Sequence, residues 1–281
     1  MRAQLFIAIL MIPFVISSSG CKNAFEEFAN KETDDALFFE ANKLADKKDW
    51  TGAIEMIGAM SASARAKRET KLSLASFYAG RCGLDLIQMA NDIKDGLTAT
   101  ARIFPVLSQT MPDAVIADAD DCETAELTIQ SISETATQRT SDENIVMALI
   151  EFAKIGAVLV SSGVDANADG AIDTNHATTC ALTAVPSGQT VSPVQRLGAA
   201  ITNVVASLSA SGTSIGADAV NNIEEMCDDL EASVGAGFCE QYKPENFTGV
   251  EAKAIASLIQ SNEIGFNSCG GTVDSAGCIC P

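Results

Sequence analysis

A chain of 281 residues with 47% apolar residues and a formal net charge of −19 can bury a sizeable core, as one large or two small domains. Its acidic surface repels nucleic-acid phosphates and anionic lipid head groups, which argues against a nucleic-acid partner, and it attracts cations, basic proteins and divalent metals. Aromatic residues make up only 5%, whereas Ala, Ser and Thr abound, a composition that suits closely packed helices.

The first segment reads Met1-Arg2, then an apolar run of about twelve residues from Leu5 to Ile16, then Ser17-Ser18-Ser19-Gly20-Cys21. A short positive region, an apolar core and a small-residue stretch are the anatomy of a signal peptide. The run is too short to span a hydrocarbon layer, which takes about 20 residues. Ser18-Ser19-Gly20-Cys21 resembles the lipobox of bacterial lipoproteins, with Ser18 where an aliphatic residue is usual. The resemblance implies cleavage after residue 20 and covalent diacylglycerol plus an N-acyl chain (palmitate) at Cys21, so that a lipid anchor holds the chain to a membrane. The other reading is ordinary cleavage near Gly20 with Cys21 left as a thiol. Lys22 follows the cysteine, which by the sorting rule of enteric lipoproteins implies the outer membrane. Removing the leader, whose one charged residue is Arg2, leaves the remainder one unit more negative.

The cysteine count favours acylation. There are nine: Cys21, Cys82, Cys122, Cys180, Cys227, Cys239, Cys269, Cys278 and Cys280. An odd number strands one thiol in an oxidising compartment. With Cys21 acylated, the other eight suffice for four disulfides. Eight cysteines allow on the order of a hundred pairings, so connectivity stays open. Cys278 and Cys280 are too close for a zinc or redox pair and should each take a different partner. Cys227 and Cys239 could close a local loop.

Residues 21–33 are polar and read as a tether. A helical domain follows over 34–267. Thr33 or Asp34 can cap its first turn. Leu37, Ala41 and Leu44 then recur at helical spacing, Lys47-Lys48-Asp49 turns the chain, and Trp50, Ala53, Ile54, Ile57 and Met60 form a second apolar face. The result is an antiparallel hairpin. Leu37, Ala41, Leu44, Ala53 and Ile57, with the helix opening Asp49-Trp50-Thr51-Gly52-Ala53-Ile54, resemble a tetratricopeptide repeat. Met60 departs from its pattern, and no proline ends the unit. The likeness covers residues 28–60 and extends loosely to 94, where Ala75 and Tyr78 fall in register. It implies repeat-like hairpins over 34–94 with a concave groove for peptides or helices of partner proteins.

Residues 65–94 read as one helix, or as two broken near Gly80 to Gly83, with Leu72, Ala75, Ala79, Leu86 and Met89 apolar. A short helix over 97–104 should end at Pro105, and Ser108 to Asp113 is a connection. Ala119 to Gln138 reads as a polar helix with Leu127, Ile129 and Ile132 inward. Asn144 to Val160 is apolar nearly all round, interrupted only by Glu151 and Lys154. That predicts a central buried helix, with a membrane span as the other reading. Gly163 ends it. A polar loop over 163–190 precedes three further helices, Val194 to Ser209, Gly216 to Ala232 and Val250 to Asn262. The Gly- and Cys-rich tail, 268–281, shows no helical pattern. Nothing alternates at period two, so the expected fold is all-α: an antiparallel helical array around a central buried helix, stapled by disulfides.

One motif carries chemistry. Asp165, Asn167, Asp169 and Asp173 fall at the first, third, fifth and ninth positions of a loop, Gly170 at its sixth, and Ala171 can offer its carbonyl at the seventh. Ca²⁺ takes six to eight oxygens, and this spacing wraps them round one point. The stretch resembles the first nine residues of an EF-hand or dockerin loop, which implies calcium. His176 stands at the twelfth position, where an EF-hand has a bidentate Glu, so binding should be weak. The alternative is an Asp/Asn/Gly turn without metal.

Catalytic signals are few. His176 is the single histidine, so sites needing two are impossible within the chain. Asp120-Asp121, Glu224-Glu225 and Asp228-Asp229 could in principle serve a glycoside hydrolase, but adjacent carboxylates on helices usually face solvent. The sequence therefore points to a non-enzymatic, outer-membrane-anchored interaction or structural module that meets envelope proteins. The alternative is an envelope hydrolase using carboxylates.

Overall fold

The computed structural model describes residues 32–85, 88, 89, 91, 102–212, 231 and 237–281. Among them lie ten α-helices and no strand: α1 (Asp34–Ala45), α2 (Trp50–Ala59), α3 (Ala62–Arg65), α4 (Arg68–Arg81), α5 (Ile103–Gln109), α6 (Ile116–Gln130), α7 (Ser141–Ser161), α8 (His176–Ala181), α9 (Pro193–Ser211) and α10 (Val250–Gln260). The fold is all-α. The leader, Cys21, Leu86, Cys227, the paired carboxylates at 224–225 and 228–229, and the expected helix over 216–232 lie outside the described residues, apart from residue 231.

The N-terminal hairpin forms where its spacing predicts. Thr33 accepts the Ala36 N–H and starts α1. Lys48, at φ 60°, turns the chain, and the Asp49 carboxylate accepts the Gly52 N–H to start α2. These side chains occupy amide donors that the first helical turn leaves unpaired. Ala41, Ala53 and Ile57 are buried together with Met60, Ala64 and Phe77 in a small core of their own, and α4 packs against α2.

The main core is built around α7. A capping box of Thr140 and Glu143 opens it. Every residue from Ile150 to Val160 is buried. It packs most extensively on α9 and also touches α4, α5 and α6. Its apolar circumference is thus explained by helices on several sides. Gly163, at φ 79°, follows its C-cap. The close approach of α5 depends on Gly156: a Cβ there would come within 2.3 Å of the Leu107 carbonyl oxygen.

Three disulfides join described cysteines: Cys82 to Cys122, Cys180 to Cys280, and Cys269 to Cys278. Cys278 and Cys280 take different partners, as their spacing predicts. Cys239 is disulfide-bonded as well. The first bridge ties α4 to α6. The other two fasten the helix-free tail to α8 and to itself.

Several expectations need correction. The helix near Pro105 runs on to Gln109, because a proline in the first turn lacks only an N–H that has no partner there. Ser108 is consequently helical. The helix expected to reach Gln138 stops at Gln130 and is followed by a 3₁₀ turn, Ala136–Gln138. Leu127 is 56% exposed rather than inward; Cys122, Ala125, Glu126 and Ile129 fill the buried face instead. The loop over 163–190 contains the short helix α8.

Gly156→Ala should lower stability by about 1–3 kcal/mol. Urea unfolding should show a lower midpoint with an unchanged slope.

Candidate functional site

The Asp/Asn loop begins directly after α7. Asp165 is fully buried. One of its carboxylate oxygens accepts the Asp169 N–H at 3.1 Å; the other accepts the Gly170 N–H at 2.9 Å and the Ser108 hydroxyl at 2.6 Å. Asn167 Oδ1 also accepts from Asp169 N at 3.1 Å, and Asp169 Oδ1 accepts the Ala171 N–H at 2.8 Å. Asp173 closes the ring by accepting the Ala166 N–H at 2.8 Å. Ala168 and Gly170 take positive φ, 54° and 82°. The five residues singled out by spacing therefore lie in one compact, internally bonded turn. Asn175 then caps α8.

Two contacts had no sequence signal. Ser108 and Gln109, at the end of α5, hold the loop from outside. Gln109 donates to the Asp169 carbonyl at 2.8 Å, and a Cβ on Gly170 would come within 2.2 Å of the Gln109 amide. Among the described residues, no three His, Cys, Asp or Glu side chains are grouped to hold a metal. Any cation here would need the Asn167 amide and a backbone carbonyl as ligands.

A second polar centre lies in the core. Lys154 on α7 is fully buried and ion-paired with Glu126 from α6 and, at 3.0 Å, with Glu151 one turn away. Asn203 on α9 donates to Glu126 at 2.8 Å and to Glu151 at 3.3 Å. Burial, and then the neighbouring Glu126 charge, push the Glu151 carboxyl well above the ordinary carboxylate range, against the pull of Lys154 and Arg139. Lys154 stays charged: burial opposes this, but Glu126 and Glu151 raise its pKa overall. Above this cluster opens a cavity of about 500 Å³, lined by Arg139, Asn203, Thr202, Glu134 and Tyr242 among others. The Arg139 guanidinium is held by the Ser133 and Glu134 carbonyls, at 3.0 and 2.8 Å, and by the Ser207 hydroxyl at 3.3 Å.

The adjacent pair Asp120-Asp121 is not simply solvated. Asp121 binds Arg81 of α4, and Asp120 binds Arg196 of α9 at 2.7 Å. The two point to different helices and do not converge.

A third feature is a groove of about 520 Å³ beside the N-terminal hairpin, lined by Lys48, Trp50, Phe77, Gly80, Leu84 and Asp85 among others. Gly80 makes room for Trp50, since a Cβ there would meet the indole at 2.5 Å.

Glu151 carries a pH prediction. Its folded form favours the proton, so its contribution to stability is fully present below the unfolded carboxylate value and is lost as pH rises through the elevated folded value. The groups facing it are Glu126, Lys154, Arg139 and Asn203. Glu151→Gln keeps the neutral shape. Chemical denaturation from about pH 5 to about pH 9 should show the wild type losing stability relative to this variant as pH rises; parallel curves would show that Glu151 is ionised throughout.

No family model matches the chain, and neither a curated protein nor a solved structure is detectably similar to it.

Proposed function

We propose that this chain is a lipid-anchored protein of the bacterial envelope, held in the outer membrane through Cys21, which acts as a helical interaction or structural module for other envelope proteins. The observation that carries the reading is the state of the sulfurs. All seven described cysteines are disulfide-bonded, a pattern suited to an oxidising compartment. With Cys227 the odd number is accounted for if Cys21 is the acylated one.

The Trp50 groove supports the interaction reading. It combines an indole, small residues and a charged rim, features that suit a peptide or helix laid along a helical hairpin. A hydrolase is the weaker reading. Glu126 and Glu151 meet on Lys154 and Asn203 rather than on open space, and catalysis would need those oxygens available. The loop at Asp165, Asn167, Asp169, Ala171 and Asp173 takes Ca²⁺ weakly and uses it to stiffen the link between α7 and α8, without catalysis.

Isolation of the native chain from its own envelope in mild detergent tests the main proposal. Its intact mass should correspond to a chain starting at Cys21 with diacylglyceryl and N-acyl groups and four disulfides, and a stoichiometric protein companion should co-purify. A product starting at Met1 with free thiols would end the proposal.

Calcium has its own test. With an affinity in the extracellular range, about 10⁻⁴–10⁻³ M, about 10 mM Ca²⁺ should stabilise the chain by about 1.4–2.7 kcal/mol. Thermal melting should show the rise with Ca²⁺ and none with an equal excess of chelator or in Asp169→Ala.

A further inference from the structure

The three fully described disulfides lie in different chemical surroundings. Cys82 and Cys122 are both buried in the main core. At the Cys269–Cys278 bridge the sulfurs face carbonyl oxygens: Gln260 O lies 3.0 Å from Cys269 Sγ, and Gly271 O lies 3.8 Å from Cys269 Sγ and 3.5 Å from Cys278 Sγ. Such oxygens repel an incoming thiolate and disfavour a departing one. The Cys180–Cys280 bridge has an amide donor and an imidazole beside it. The Gln260 amide nitrogen is 3.8 Å from Cys180 Sγ and 3.9 Å from Cys280 Sγ, and the His176 ring nitrogens are 3.7 and 3.9 Å from Cys180 Sγ. Cys280 is buried, whereas Cys180 on α8 is only partly buried, as is Cys269.

The imidazole is also oriented. Gln260 is buried, and its amide nitrogen donates to the Ala256 carbonyl at 3.3 Å. That turns its oxygen towards His176 Nδ1, 2.8 Å away. A carbonyl oxygen only accepts, so Nδ1 carries the hydrogen and Nε2 is left for the sulfur. Gln260, His176 and Cys180 thus form a chain in which the amide positions the ring and the ring serves the thiol.

We propose that Cys180–Cys280 is a thiol–disulfide exchange site, opened by an external dithiol before the other two bridges, with His176 assisting at Cys180 and Gln260 positioning His176. A thiolate of the dithiol attacks the sulfur of Cys180, the less buried of the pair. A mixed disulfide forms there, the Sγ–Sγ bond breaks, and the electron pair leaves on Cys280 Sγ beside the Gln260 amide. The second thiol of the reagent passes its proton to His176 Nε2, closes on the first reagent sulfur and expels Cys180 as a thiolate beside the imidazolium so formed, which then returns the proton to it. The reagent ends as a cyclic disulfide. The protein gains two electrons and the two protons the reagent gave up. The groups facing the bridge are His176 on α8, Gln260 on α10 and Ser257, whose hydroxyl accepts the Cys280 N–H at 2.9 Å. Opening frees the tail from α8, which directly follows the Asp165–Asp173 loop.

The test uses the full oxidised chain, graded dithiothreitol, acid quench, alkylation and peptide mass mapping. Cys180 and Cys280 should be labelled before Cys82, Cys122, Cys269 and Cys278. In His176→Gln, alkylation of reduced Cys180 at pH 7 should slow by about five- to tenfold, because an unassisted thiol is only a few per cent ionised and nucleophilicity falls as its pKa falls. The difference should vanish near pH 10, where the thiol ionises unaided, and opening of Cys269–Cys278 should be unchanged. Earlier opening of either other bridge in the wild type, which needs no variant to fold, overturns the proposal. So does an unaltered Cys180 rate at pH 7 in a folded His176→Gln.

Discussion

The packing of three helices depends on one buried ammonium. Lys154 cannot reach water, so its charge survives only where Glu126 and Glu151 supply oxygens and Asn203 supplies donors to the same two carboxyl groups. Glu126 comes from α6, Lys154 and Glu151 from α7, and Asn203 from α9. Rotating or sliding any of the three strands a charge in the core, at a cost of about 3–5 kcal/mol. Apolar packing alone would tolerate several registers of such Ala-rich helices. The polar cluster accepts one. A buried ion pair often adds little net stability compared with apolar residues of the same shape, so its contribution here is better described as selecting the arrangement than as strengthening it.

Around that centre the helices come close because small residues stand at their crossings. Gly156 lets α5 onto α7. At Gly198 a Cβ would meet Ile255 Cδ1 of α10 at 2.4 Å and the Phe247 ring at 2.8 Å. Large rings are few and localised, as in the edge-to-face pair Phe238 and Phe247, 5.4 Å apart. The surrounding ion pairs, Arg68 with Glu143, Arg81 with Asp121 and Arg196 with Asp120, link α4, α6, α7 and α9 at the rim, where solvent weakens each one.

What the sequence made legible were features governed by neighbours along the chain. The α1–α2 hairpin, the Thr33 cap, the length of α7 and its end at Gly163 all follow from local spacing and backbone preference. The nine-residue loop is legible for the same reason. What it hid depends on partners far away in sequence. Glu151 and Lys154 looked like interruptions of an apolar helix, because the carboxylate that completes the cluster, Glu126, belongs to another element. Leu127 looked inward because its own helix offers no sign that Cys122 and Glu126 pin the opposite face. Ser108 and Gln109 are ordinary polar residues until the fold brings them against Asp165 and Gly170. The Gln260–His176–Cys180 chain spans 80 residues between Cys180 and Gln260 and has no local signature.

The covalent map also sets an order in time. A polypeptide is made from its N-terminus, so the α4–α6 staple, 40 positions from sulfur to sulfur, can close while the rest is still being synthesised. Cys180 has no such option. Its partner, Cys280, lies 100 positions later, so this bridge must wait until all the residues between have been made, whereas the Cys269–Cys278 loop spans only 9. The long cross-link therefore closes later than the α4–α6 staple can, and a chain cut before Cys280 lacks it altogether.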